Sequence, residues 1–339
     1  MLPGNSANCD KHRASTEFTS YGKDQFTLPW KKRLHQGPYS DVICTILNAL
    51  KPPELVMVKG IRAMDEQDPE EFVRNELNIW RLLNKNKHPH IVPFLGITTF
   101  DHWPGLYTPP LAVCRYYEAG TPREASFLPN PICPVHAKAR ACQFLGKRKL
   151  GCETRLELLI GIARGVEHIH KQSVVHGDLK ADNTVIEASG DKFVAKITDF
   201  GSSRLDCKSC TNANLQVGTL LWDSPEVASE ESGRTFQSDV WAVGCVALEV
   251  QLDSFPYTAG GKRPNDRHLF KAMARQRRGD PPAKKTDFNF EGKEISEIVW
   301  VAFQDCWKVE PTERPSAADL ANRLEAALYA NRANHAWSS

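Results

Sequence analysis

Val175-His176-Gly177-Asp178-Leu179-Lys180-Ala181-Asp182-Asn183, followed downstream by Asp199-Phe200-Gly201, decides how this chain is read. The first stretch sets a carboxylate, a lysine and an asparagine on one short loop. The second adds another carboxylate after what reads as a β-hairpin, Val185-Ile186-Glu187 and Phe193-Val194-Ala195-Lys196-Ile197 around Ser189-Gly190-Asp191. Transfer of a phosphoryl group asks for that set of side chains. One Asp orients the attacking hydroxyl, a Lys neutralises charge on the moving group, and an Asn and an Asp hold Mg²⁺.

Outward from this core, two halves of different pattern appear. From about Phe26 to Tyr117 the chain is mostly strand, with apolar or β-branched runs at Val42–Leu47, Leu55–Lys59 and Leu111–Cys114 bounded by Pro, Gly and Asn. One helix interrupts them. Asp68-Pro69-Glu70-Glu71 carries a capping residue, Pro at the first helical position and acids in the first turn. Glu76 then shares an apolar stripe with Phe72, Ile79 and Leu83, where an unpaired charge would be costly. From about residue 153 to 330 the pattern is mainly helical: Leu156, Leu159, Ala163, Val166 and His170 repeat at helical spacing before the loop. A strongly apolar helix opens at Ser238-Asp239-Val240-Trp241, and a further amphipathic one holds Asp319–Leu324. The fold class is α+β, with a β-rich small lobe and an α-rich large lobe. Residues 1–25 are expected to form a loose extension, residues 122–152 an insertion between the lobes, and residues 331–339 a tail.

Composition fits an ordinary soluble globular chain of 339 residues, 41% hydrophobic and 25% charged. A formal charge of +2 gives no reason to expect nucleic acid or membrane as a partner. The opening Met1–Ser6 lacks the basic and apolar pattern of a secretory signal, and no window approaches 18 apolar residues. Ten cysteines at irregular spacing suggest reduced thiols in a cytosolic or nuclear compartment. Cys207-x-x-Cys210 alone is a weak metal sign, and Cys133, His136, Cys142 and Cys152 match no zinc-finger spacing.

Over roughly residues 26–330 the sequence resembles the eukaryotic protein kinase catalytic domain, of serine/threonine type with tyrosine-kinase-like features. Asp178 and Asn183 are spaced as in H-R-D-x-x-x-x-N, Asp199-Phe200-Gly201 matches D-F-G, and Val56-Met57-Val58-Lys59 is similar to V-A-I-K. The resemblance implies a two-lobed fold with ATP in the cleft. It assigns Asp178 to the substrate hydroxyl, Lys180 to the γ-phosphate, Lys59 to the α and β phosphates with Glu76 as its partner, and Asn183 and Asp199 to Mg²⁺. Gly37 and Val42 would lie over the nucleotide. Lys180 and Thr219 imply protein substrates bearing Ser or Thr. Glu226 would pair with Arg314, and Asp239 would brace the catalytic loop.

Several positions depart from the family pattern. G-x-G-x-x-G-x-V reads His35-Gln36-Gly37-Pro38-Tyr39-Ser40-Asp41-Val42, so only the middle glycine remains. Met57 stands in place of the small Ala beside adenine, Trp80 in place of Leu, and Gly177 in place of the Arg of H-R-D. Without that Arg there is no charge for an activation-segment phosphate to neutralise, so activity is expected not to require phosphorylation between Asp199 and Glu226. The depleted glycine loop and Met57 leave a second reading open, a pseudokinase that binds or scaffolds without turnover.

Overall fold

The alternation of Val42 and Cys44 against Ile43 and Leu47, and of Met57 and Lys59 against Val56 and Val58, gives the small lobe a sheet with two different faces. The computed structural model describes residues 17–27, 35–36, 40–62, 69–99, 107–117, 150–206, 219–258, 266–288 and 295–336. Its strands β1 (Ser20–Tyr21), β2 (Phe26–Thr27), β3 (His35–Gln36), β4 (Ser40–Leu47), β5 (Glu54–Arg62), β6 (Phe94–Thr98) and β7 (Tyr107–Arg115) form one sheet. The order is β1-β6-β7-β5-β4, with β2 and β3 both on the far edge of β4. Phe26, Ile43, Leu47, Val56, Val58, Leu111 and Val113 pack together as a core on one face. The other face carries Val42, Met57, Ala112 and Cys114, which join the main core beneath helix α1 (Pro69–Asn84).

Helix α1 buries Val73, Leu77, Trp80 and Leu83, a stripe of period near 3.6. The large lobe is built on α2 (Cys152–Lys171) and α4 (Phe236–Leu252), with α3 (Pro225–Ala228), α5 (Asp266–Arg277), α6 (Glu297–Cys306) and α7 (Ala317–Ala336) around them. Nearly every residue of α4 is buried, and it starts on a reciprocal cap in which Thr235 and Ser238 exchange side-chain and backbone hydrogen bonds. Between α2 and α4 run β8 (Val174–Val175), β9 (Thr184–Ser189), β10 (Lys192–Ile197) and β11 (Arg204–Leu205). β9 and β10 make the expected hairpin, turning at Gly190 with φ +60°. No helix of the described residues is long and apolar enough to cross a membrane.

Two boundaries differ from the sequence-based expectation. The end of the supposedly loose extension belongs to the sheet: β1 pairs in parallel with Ile97 and Thr98. Phe18 packs edge-on against Phe94 at 6.0 Å, and the Thr98 hydroxyl donates to the Tyr21 carbonyl at 2.8 Å. Two aromatic side chains in a polar stretch supply the apolar area that holds it. At the other end α7 continues through Ala336 instead of yielding to a tail at 331, and Arg332 pairs with Glu153 and Glu157 of α2. The insertion, apart from its end at Leu150–Cys152, lies outside the described residues, as do Gly37, Pro38, Cys207 and Cys210.

Candidate active site

Lys59 enters the cleft from β5 because the period-two pleat puts it on the same face as Met57. Its ammonium lies 2.7 Å from Glu76 Oε1 on α1 and 2.7 Å from Asp199 Oδ1 on the far side of the cleft. Burial pushes the Lys59 ammonium toward the neutral form, but the Asp199 and Glu76 carboxylates outweigh it and hold the group above its ordinary pKa. Glu76, only 1% exposed, therefore keeps its place on the apolar stripe through this ion pair. Asp199 sits at φ +72°, ψ +74°, a left-handed conformation uncommon for residues other than Gly, Asn and Asp. That turn sends its carboxylate toward Lys59 while Phe200 goes into the core.

Phe200 is fully buried between Trp80 (ring centroids 5.7 Å apart) and His176 (5.5 Å). Trp80 also donates from Nε1 to the Val92 carbonyl at 2.8 Å, a bond that Leu at this position could not make. It ties α1 to the segment that bridges to β10, where Ile91 pairs with Ile197. His176 Nδ1 accepts from the Asp178 backbone N–H at 3.2 Å, so its proton belongs on Nε2, 3.3 Å from the Thr198 carbonyl. Full burial lowers the pKa of this ring and keeps it neutral in that tautomer.

Asp239, 1% exposed at the start of α4, carries the loop from below. Its Oδ2 accepts from the His176 N–H at 2.8 Å and from His170 Nε2 at 2.9 Å, and its Oδ1 from the Gly177 N–H at 3.0 Å. Burial alone would raise this carboxyl, but the hydrogen bonds and the His170 partner overcome it and hold the group below the usual range. Above it, Asp178 is the hub. Oδ1 accepts from the Thr219 hydroxyl at 2.8 Å, while Oδ2 accepts from Lys180 Nζ at 2.5 Å and Asn183 Nδ2 at 2.8 Å. Lys180 also donates to Thr219 Oγ1 at 2.5 Å, so residue 219 is tied to both Asp178 and Lys180.

Mg²⁺ prefers oxygen ligands and takes one or two from protein, the remainder from phosphates and water. Asn183 commits its amide nitrogen to Asp178, at 2.7 Å from the carbonyl as well, which leaves its oxygen as the atom able to ligate. Asp199 supplies a carboxylate whose side chain is 29% exposed to the cleft, and the Thr198 N–H to Asn183 carbonyl bond at 3.0 Å joins the two positions. The donor set fits the ion. Val42 and Met57 line a water-sized cavity in this cleft together with Lys59, Trp80, Cys114, Thr198 and Asp199.

Glu249 is an ionisable group that the sequence did not single out. It lies on α4, is 6% exposed and accepts from the Ala181 N–H at 3.1 Å and Trp222 Nε1–H at 2.7 Å, joining the loop to the segment after Thr219. A carboxylate inside the run Val246–Leu252 was the available signal. Burial pushes its pKa up to about 7 from 4.5, against the two hydrogen bonds. A raised carboxyl pKa favours the folded state at low pH, and that contribution is lost as pH rises from about 4.5 through about 7. Glu249→Gln should remove this dependence. The stability of the wild type relative to the variant is expected to fall by on the order of 3 kcal/mol across that window. Urea titrations at pH 4.5 and 7.5 check this, and a pH-independent difference refutes it.

Residues 30–324 match the protein kinase domain family, and the chain belongs to it. It is 25% identical over 320 residues to the serine/threonine-protein kinase CTR1 of Arabidopsis thaliana, covering 92% of this chain and 34% of that protein. Identity to a probable serine/threonine-protein kinase of Dictyostelium discoideum is 26% over 269 residues, 79% of this chain and 17% of that protein. The serine/threonine/tyrosine-protein kinase HT1 of Arabidopsis thaliana is 29% identical over 185 residues, 54% of this chain and 43% of that protein. The chain thus spans less than half the length of each of these relatives.

Proposed function

We propose that this chain transfers the γ-phosphoryl group of ATP to Ser or Thr hydroxyls of proteins, with Mg²⁺. The observation that carries the reading is the simultaneous assembly of two clusters, Lys59 with Glu76 and Asp199, and Asp178 with Lys180, Asn183 and Thr219. Lys59, fixed from both sides, holds an ammonium where it would orient the α and β phosphates. Asp178 would exchange its Thr219 hydrogen bond for one from the substrate hydroxyl, positioning that oxygen for in-line attack and accepting its proton. Lys180, already beside Asp178, would supply the cation that charge on the moving phosphoryl group needs. Asn183 and Asp199 would hold Mg²⁺, which when bound neutralises the phosphates. No covalent intermediate on the protein is required. The Lys180–Thr219 contact supports the Ser/Thr class. Labelled phosphate from ATP, offered to a generic basic protein, tests the reading: incorporation above that of Asp178→Asn supports it, and none sinks it.

The rival, a pseudokinase, draws on Met57. This residue is 4% exposed, and with Val42 and Cys114 it lines the water-sized cavity formed by the described residues of the cleft. Crowding of the nucleotide by its side chain would cost on the order of 1 kcal/mol, several-fold in affinity. ATP·Mg²⁺ is therefore expected to bind weakly but measurably by calorimetry, in a metal-dependent way, and Met57→Ala to tighten it several-fold. Absence of heat at millimolar nucleotide, with and without Mg²⁺, would decide for the pseudokinase.

A further inference from the structure

Gly177 has φ +79°, and a Cβ there would stand 2.7 Å from the Ser202 carbonyl oxygen and 3.1 Å from Arg234 Cδ. Backbone on one side and the Arg234 stem on the other leave no place for a side chain at 177. The guanidinium beside this part of the loop comes instead from Arg234, just before α4. Its Nη2 lies 3.0 Å from Asp223 Oδ1, and the two side chains are only 13% and 15% exposed. The Arg234 carbonyl in turn accepts from Arg204 Nη2 on β11. One residue therefore touches the loop at Gly177, the strand after Asp199 and the segment 219–223. Both members of the pair line a water-sized cavity with Gly177, Asp178, Thr219 and Asp239.

Segment 219–223 places Thr219 on Asp178. Trp222 anchors it to Glu249, and Gln276 Nε2 of α5 donates to the Leu220 and Asp223 carbonyls at 2.5 Å each. All of these bonds hold the segment to α4 and α5, whereas the Asp223 side chain reaches back, through Arg234, to the side of the loop. Burial lifts the Asp223 carboxyl above its ordinary pKa, with Arg234 opposing. A mostly buried ion pair is weak evidence for stability, and here its geometry links the side of the loop to segment 219–223.

We infer that Arg234 and Asp223 are positioning residues for the transfer, an internal ion pair that seats segment 219–223 against Asp178. In protein kinases an Arg and a phosphate added to the activation segment commonly order that segment. Here both charges are side chains of the chain itself, so the seat is permanent. This rests on the kinase reading above.

The test uses the full chain with ATP and a generic basic protein, and compares wild type, Arg234→Ala, Asp223→Ala, the double variant and Arg234→Lys. Each alanine variant should lower kcat by about 10- to 100-fold, as misplacement of a catalytic geometry does, with KM for ATP within about twofold. The double variant should lose no more than either single one, and Arg234→Lys should recover part. Phosphatase treatment of the wild type should leave kcat unchanged. Amide hydrogen exchange at 219–223 should rise in both alanine variants. Unchanged kcat and exchange in Arg234→Ala, additive losses in the double variant, or inactivation by phosphatase would each overturn the proposal. If either alanine variant fails to fold, Arg234→Lys and Asp223→Asn read the same quantities. A wild type no more active than Asp178→Asn sinks the kinase reading alone, and the exchange comparison still decides the pair.

Discussion

Asp178→Asn is expected to slow phosphate transfer by about 10²-fold or more while leaving ATP binding nearly intact. The carboxylate has three donors, Thr219, Lys180 and Asn183, and one side is free to be exchanged for a substrate hydroxyl only because the others hold the group in place. An amide at 178 keeps an acceptor oxygen but turns the second position into a donor facing Lys180 and Asn183, both of which already donate. The charge that steadies Lys180 disappears at the same time. Lys59, Glu76 and Asp199 stand on other elements, so nucleotide affinity should change by less than about threefold. Single-turnover transfer and calorimetry on the same preparation separate the two effects. Wild-type turnover in the purified variant would show that Asp178 is not the acceptor.

The sequence made much of this site legible because its chemistry is local in the chain. Asp178, Lys180 and Asn183 share one loop, and Asp199 follows one hairpin later, so the resemblance to the kinase motifs could be read from a short stretch of chain. Glu76 was readable from a different signal, a charge on an apolar stripe that required a partner, and the partner is Lys59. Arg234 and Asp223 gave no such signal. They are polar residues in irregular segments, and it is the tertiary structure that sets Arg234 against Gly177 and pairs it with Asp223. Ser20 and Tyr21 were unreadable as a strand for a related reason. Two residues cannot display a period, and the pairing is decided by the β6 edge they meet. Trp80 announced itself as a departure from the family, but its bond to the Val92 carbonyl depends on a fold around it that spacing does not specify.

Arg314→Ala is expected to destabilise the large lobe by about 3–5 kcal/mol, because it strips one partner from a buried ion pair. The Arg314 side chain is fully buried and meets Glu226 with two parallel bonds, Nη1 to Oε1 at 2.7 Å and Nη2 to Oε2 at 2.8 Å. Its remaining donors go to the carbonyls of Lys308, Gln237 and Val309, and the guanidinium lies 5.1 Å over the Trp241 ring. Alanine leaves Glu226, 13% exposed, and those carbonyls without their donor, in addition to the cavity of a lost side chain. Burial pushes the Glu226 carboxyl up and Arg314 more than offsets it, so the folded group ionises below its usual pKa. That contribution is present above the ordinary carboxylate range and lost as pH falls through the lowered value, so the difference between wild type and variant should shrink in acid. Arg314→Lys keeps the charge but not the fork, and should retain less than half of the stabilisation. Denaturant unfolding at pH 7 and pH 4 reads all three. Glu226 heads α3, directly after segment 219–223, so the same variant should lose transfer under conditions where it remains folded. An Arg314→Ala protein with wild-type stability would mean that the pair and its desolvation cancel, and that α3 is held by packing alone.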